Sequence, residues 1–184
     1  MVVDEAHATG VFGARGRGLG EDLQNENWIG LHTCGKALGV AGALVCASAE
    51  IIDYLVNKGR PFIYSTAPPP FLATVVQRSL RLVDEEPWRR MQMLKLAKFA
   101  RDKLPSREPG HVTGCQIIPI HIGEEERTLK LARALQDSGF DVRAIRPPTV
   151  PDGTSRLRVS IHADRNEAEI LGLADAFRSA MAES

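Results

Sequence analysis

A chain of 184 residues with 43% hydrophobic content can bury one good core or two small ones. Lysine plus arginine equals aspartate plus glutamate at 23 each, so no net field draws it to nucleic acid or an anionic membrane. No apolar run approaches the roughly 20 residues of a membrane span, and Met1-Val2-Val3-Asp4-Glu5 lacks the basic head and long apolar stretch of a signal peptide.

In chain order, Met1 to Val3 reads as the end of a buried strand, with Asp4 where strand becomes loop. Ligands gather at the carboxyl ends of strands in open α/β sheets, so Asp4 is well placed for a cofactor contact. Ala8 to Gly30 is glycine-rich and predicts a long irregular loop. Trp28 to Thr33 and Gly42 to Ala47 predict short strands flanking Lys36, and Ser48 predicts the cap of a helix through Val56. Pro68, Pro69 and Pro70 suit a helix start, after which Phe71, Leu72, Val75, Val76, Leu80 and Val83 recur at helical spacing. A helix from Pro87 carries Trp88, Met91 and Leu94 on one side. Its Arg89, Arg90, Lys95, Lys98, Arg101 and Lys103 read as a solvated face, with an acidic carrier protein as the alternative partner.

Pro105 to Gly110 reads as a linker, dividing the chain at 1–104 and 105–184. Beyond it the pattern is strand (Cys115 to Ile122), helix (Glu124 to Asp137) with Gly139 as terminator, and strand (Val142 to Ile145). A further strand (Arg156 to Ile161) leads to a last helix from about Arg165, with Asp164 and Glu167 spaced as a capping box. The fold class is α/β. Cys34, Cys46 and Cys115 have no metal spacing and fit small core residues in a reducing cytoplasm. His32, His111, His121 and His162 form no ligand set.

The chemistry concentrates in two short segments. Thr33-Cys34-Gly35-Lys36-Ala37-Leu38-Gly39 carries an amine able to form a Schiff base, with Gly35 and Gly39 allowing close backbone approach and tight turns. Asp4-Glu5-Ala6-His7 carries a carboxylate able to hold a pyridinium nitrogen protonated and an imidazole able to reach a ring substituent. Together these are the groups that bind pyridoxal 5'-phosphate (PLP) and use it as an electron sink. Taken alone, Asp4 also reads as a strand-end carboxylate or a cap, and Thr33 as a loop hydroxyl capping its own backbone.

A nucleotide-hydrolase reading competes. Val2 to His7 has the form of an acidic strand ending in DEAH, and Gly30 to Lys36 nearly completes a phosphate loop. Ala37 stands where a magnesium-binding hydroxyl belongs, and the loop follows its acidic strand instead of preceding it. Both features argue against that reading. So does the charge balance.

The segments Val2 to Gly13, Gly16-Arg17-Gly18 and Thr33 to Gly39 resemble the α-oxoamine synthases, fold type I PLP enzymes that condense an amino acid with an acyl thioester. Ile63 to Pro69 and Ala144 to Pro151 carry a finer likeness, to members that join L-alanine to a pimeloyl thioester of coenzyme A or acyl carrier protein in biotin synthesis. The resemblance implies that Lys36 holds PLP and acts as the base at the substrate Cα. By the same match Asp4 pairs with the pyridine nitrogen, His7 bonds the ring's phenolic oxygen, and Thr33 contacts the phosphate. It further implies that Thr66 reaches the phosphate across a homodimer boundary, that Arg158 grips the amino-acid carboxylate, and that Arg146 and Thr149 line the substrate channel. Cys34-Gly35 departs from the commoner Phe-Ser. The likeness starts inside the family's large PLP-binding domain, so the expectation is a remnant of that domain plus a small C-terminal α/β domain, holding about half of a site. A synthase using glycine or serine, and a non-catalytic fragment, are the alternatives.

Overall fold

Val2–Asp4 form β1, which pairs in parallel with β2 (Ile29–Thr33); β2 pairs antiparallel with β3 (Ala43–Cys46). This computed structural model describes residues 1–23, 27–105 and 115–182. The chain divides into two units, Met1–Arg90 and Met91–Ser184.

In the first unit the β2–β3 connection folds back on itself. The Cys34 N–H donates to the Gly42 carbonyl at 2.9 Å, and the Val40 N–H donates to the Cys34 carbonyl at 2.9 Å. Cys34, Leu38 and Val40 are thereby turned inward. Helix α1 (Ala49–Lys58), a single turn α2 (Arg60–Ile63) and helix α3 (Pro70–Glu85) follow. Leu72, Val75, Val76 and Val83 share one stripe of α3 because they lie three, four or seven residues apart along it, and that stripe packs on Cys34, Leu38 and Val40. The Ser79 hydroxyl fixes the contact by donating to the Leu38 carbonyl at 2.9 Å.

The second unit holds most of α4 (Pro87–Lys103), then β4 (Ile117–Gly123), α5 (Glu125–Asp137), β5 (Arg143–Ile145), β6 (Ser155–Ser160) and α6 (Glu167–Ala182). Its antiparallel sheet has the order β4-β6-β5. Strand alternation sends Ile118, Ile120, Leu157 and Val159 to one face, where Leu131 and Leu135 of α5 also bury. Each such side chain contributes roughly 1.5–3 kcal/mol by leaving water.

Several expectations need correction. β1 is an edge strand, and Val2 is 64% exposed. The buried stripe of α4 is Met93, Leu96, Ala97 and Ala100, while Trp88 and Met91 are exposed. Large apolar residues suggested the wrong side; two alanines complete a stripe at the correct helical period. The capping box is Asn166 with Glu169, not Asp164 with Glu167. Glu169 N–H donates to Asn166 Oδ1 at 3.0 Å, and Asn166 N–H donates to Glu169 Oε2 at 2.9 Å. Ser48 occupies the N-cap position of α1 but makes no side-chain cap bond. Cys46 is exposed, so only Cys34 of the three cysteines is a core residue. The second unit begins at Met91, within α4, and includes the Met93–Ala100 stripe. Most of the expected linker, and His111, lie outside the described residues. Among the described residues no helix is long and apolar enough to cross a membrane.

Candidate active site

Parallel pairing brings the carboxyl ends of β1 and β2 to the same edge of the sheet. Asp4 ends β1, Thr33 ends β2, and Asp4 lies opposite Leu31. With strands about 4.8 Å apart and about 3.3 Å per residue, the Asp4 and Thr33 Cα atoms are roughly 8 Å apart. Asp4 is exposed, and its Oδ1 accepts the Ala6 N–H at 2.8 Å. The Thr33 hydroxyl is buried without a hydrogen-bond partner among the described residues. Such groups are uncommon, and Arg127 Nε and Ser155 Oγ are the others among the described residues.

Three residues past Thr33, Lys36 is exposed and opens a turn closed by the Gly39 N–H donating to the Lys36 carbonyl at 3.1 Å. Gly39 has φ +66°, which a side chain would disfavour. Gly35 is not needed sterically: an added Cβ would meet nothing nearer than the Val40 carbonyl at 3.9 Å. His7 sits in the turn after β1, where the Ala8 and Thr9 N–H groups donate to the Glu5 carbonyl at 2.9 and 2.8 Å. That turn and the lysine turn approach closely, for a Cβ added to Gly10 would lie 2.9 Å from the Ala37 Cβ. The first unit thus gathers Asp4, His7, Thr33 and Lys36 at one end of one sheet.

Glu5 escaped the sequence reading. Its side chain is 1% exposed and accepts the Gly20 N–H at 2.6 Å and the Leu19 N–H at 3.0 Å. The glycine-rich loop is therefore clamped onto the residue between Asp4 and His7. The only sequence signal was an acid ahead of a run of glycines, whose free N–H groups need acceptors. Thr9 was also overlooked. Its hydroxyl donates to the Glu5 carbonyl at 2.8 Å, so at the 2.9 Å contact with buried His32 the imidazole Nδ1 is the donor.

Thr66 is exposed in the segment between α2 and α3. Ser65, the competing hydroxyl, donates to the Pro61 carbonyl. In the second unit, Arg158 projects from β6 on the face opposite Leu157 and Val159 and is exposed. Arg143 of β5 is its cross-strand partner, and Arg143 is neutralised by Asp141 at 2.8 Å. Arg158 has no partner among the described residues. Arg146 pairs with Glu125 at 2.8 Å, and its carbonyl accepts the Thr149 N–H at 3.0 Å.

The nucleotide-hydrolase reading does not survive this geometry. Gly30 to Thr33 lie within a paired strand, and Lys36 leads to β3 and not to a helix whose N-terminus could cradle phosphates.

The sequence model of the aminotransferase class I and II family matches residues 1–177. The chain belongs to that family. It is 41% identical over 192 aligned residues to 8-amino-7-oxononanoate synthase of Cupriavidus taiwanensis, covering 100% of this chain and 48% of that protein. It is 44% identical over 181 residues to the synthase of the same name from Bordetella petrii, covering 96% and 46%. Among solved structures, a serine palmitoyltransferase from S. paucimobilis with a bound PLP–myriocin aldimine superposes with TM-score 0.90 at 27% identity, over 99% of this chain and 47% of that one. An 8-amino-7-oxononanoate synthase from Francisella tularensis gives TM-score 0.84 at 25% identity, over 99% and 55%. The chain spans about half the length of the curated relatives it matches.

Proposed function

We propose that this chain is the lysine-bearing part of a PLP-dependent acyltransferase that joins L-alanine to a pimeloyl thioester, giving 8-amino-7-oxononanoate, carbon dioxide and the free thiol. The observation that carries the reading is the convergence of Asp4, Thr33 and Lys36 at one sheet end, with the Thr33 hydroxyl buried and unsatisfied. That orphan fits a cofactor phosphate. The PLP of the superposed palmitoyltransferase and the names of the curated relatives support the same assignment.

Bound PLP supplies an electron sink for the electron pair left at the substrate Cα. Lys36 would hold it covalently, Asp4 would accept a hydrogen bond from its protonated ring nitrogen, His7 would bond its ring oxygen, and Thr33 its phosphate. Of these groups only Lys36 would move a proton: once the alanine amine has displaced it from the cofactor, its Nζ would take the proton from the alanine Cα and return one after carbon dioxide departs. Asp4 keeps one carboxylate oxygen on the Ala6 N–H and has the other open for the cofactor. Arg158 offers an uncommitted guanidinium fork for the alanine carboxylate. Thr66 would reach the phosphate from a neighbouring copy in a homodimer, and Arg146 with Thr149 would border the acyl passage. On this reading the first unit is a part of the PLP-binding domain and the second a small C-terminal domain.

The test is a single polypeptide joining this chain to the portion of the Bordetella petrii synthase that it does not span. Expected is turnover of L-alanine with a pimeloyl thioester, abolished by Lys36→Ala. Turnover no faster with pimeloyl than with acetyl or succinyl donors would remove the acyl assignment, and full activity of the Lys36→Ala variant would remove the mechanism.

A further inference from the structure

The turn that carries His7 is tied to β2 twice, once through the main chain and once through a side chain. The Glu5 N–H donates to the Leu31 carbonyl at 2.8 Å, which prolongs the β1–β2 pairing just past Asp4. Four residues on, the Thr9 N–H and the Thr9 hydroxyl both donate to the Glu5 carbonyl at 2.8 Å. The hydroxyl oxygen is left to accept, and His32 Nδ1 of β2 meets it at 2.9 Å. His7 therefore lies between two residues, Glu5 and Thr9, that are each anchored to β2.

This tie is internal. Glu5, Thr9 and His32 are 1%, 5% and 9% exposed, so a partner lost from the Thr9–His32 bond leaves a buried polar group unsatisfied. The far edge of the imidazole is confined as well. A Cβ on Gly30 would lie 2.9 Å from His32 Nε2 and 2.6 Å from the Trp28 ring. Gly30 and His32 share a face of β2, and the bare backbone at Gly30 leaves the room in which the imidazole lies. The next residue, Thr33, turns its buried hydroxyl to the opposite face, and Lys36 follows three residues on. One strand thus leads to the amine, carries the threonine, and holds the turn that bears His7.

We infer that His32 is a positioning residue for the reaction proposed above, on which this inference rests: by holding Thr9 it fixes where His7 meets the cofactor ring. His32 acts through Thr9 and touches neither cofactor nor substrate. A displacement of about 1 Å in a group that contacts the reacting system costs up to about 100-fold in rate, so a broken tie is measurable.

The test has two readouts. His32→Phe keeps a ring beside Trp28 and removes the donor, whereas His32→Asn returns an N–H near the position of Nδ1. Thr9→Val keeps the shape of Thr9 and breaks the same bond from its other side. In the joined polypeptide, with rates expressed per PLP trapped by borohydride, His32→Phe and Thr9→Val should each lower kcat about tenfold. His32→Asn should recover most of that loss. Because His32 acts through His7, the losses should not multiply: His7→Phe and His7→Phe/His32→Phe should share one kcat. In the full chain without PLP, amide hydrogen exchange at Ala8 and Thr9 should speed up about tenfold in His32→Phe and Thr9→Val, and return toward wild type in His32→Asn. Losses that multiply in the double variant, or exchange that stays unchanged in both single variants, would overturn the inference and leave the proposed reaction standing. A wild-type joined polypeptide that traps no PLP would overturn the proposed reaction, and this inference with it.

Discussion

Glu5 shows how one side chain can organise a site without taking part in its chemistry. Buried, and bonded to two adjacent N–H groups, it ties Leu19 and Gly20 to the segment that carries Asp4 and His7. In Glu5→Gln the volume is kept, but one acceptor becomes an NH2 group facing an N–H donor. The expected cost is about 2 kcal/mol, the penalty of an unsatisfied buried group. Amide hydrogen exchange at Leu19 and Gly20 should accelerate accordingly, and unchanged protection would show that the loop does not depend on the clamp. Gly18 faces the same carboxylate, and a Cβ there would lie 2.7 Å from it at φ +111°, so Gly18→Ala should loosen the same amides. Cys34 supplies a residue-scale pH prediction. Burial pushes its thiol above its ordinary range. The native state therefore holds a proton that the unfolded chain gives up first, and Cys34 subtracts stability as pH rises from the ordinary thiol value toward the raised native one. Thiol titration near pH 8 should modify exposed Cys46 quickly and Cys34 only on unfolding. Equal rates would contradict the packing of Cys34 under α3.

At the scale of elements, local chemistry decides what the pattern alone leaves open. The turn at Lys36–Gly39 has open space around Gly39, with nothing within 4 Å of an added Cβ. Gly39→Ala should therefore cost only the left-handed backbone penalty, about 1 kcal/mol, read as a lowered midpoint in urea. The Asn166–Glu169 box makes a similar prediction for α6: Asn166→Ala should cost about 1 kcal/mol, whereas Asp164→Ala, which removes only an exposed pair with Arg165, should cost almost nothing. The elements legible in the sequence were those with a strong period or a sharp terminus: β6 through its alternation, α5 through Gly139, and α3 through its prolines and apolar stripe. The α4 face was misread because its seam is made of alanines, which weigh little in a pattern dominated by Trp88 and Met91. The capping residue was misplaced by two because Asp164 and Asn166 are chemically alike at that spacing, and only the reciprocal bonds distinguish them.

For the whole molecule, the same contrast separates what a sequence encodes locally from what depends on neighbours. The clustering of Asp4, His7, Thr33 and Lys36 was legible because each lies at or just beyond a strand end, and parallel pairing does the rest. The exposure of β1 was not, because Met1-Val2-Val3 has the composition of a covered strand whatever covers it. Arg158 belongs to both categories. Alternation puts it on the face away from Leu157 and Val159, but only the folded structure shows that Arg143 opposite it pairs with Asp141 while Arg158 has no ion-pair partner among the described residues. Two arginines facing each other across a ladder are unfavourable unless an anion sits between them or one is compensated within the chain. Arg143 is compensated within the chain, which leaves exposed Arg158 as the cation of this pair open to an anion. In the joined polypeptide described above, Arg158→Ala should raise the KM for L-alanine about 100-fold while changing kcat less, as expected for loss of a charge-assisted pair that binds the ground state and the transition state alike. Arg158→Lys keeps the charge but loses the fork and should recover only part of that, to roughly tenfold. An alanine KM unmoved in both variants would assign the carboxylate to another cation and leave Arg158 as a surface residue.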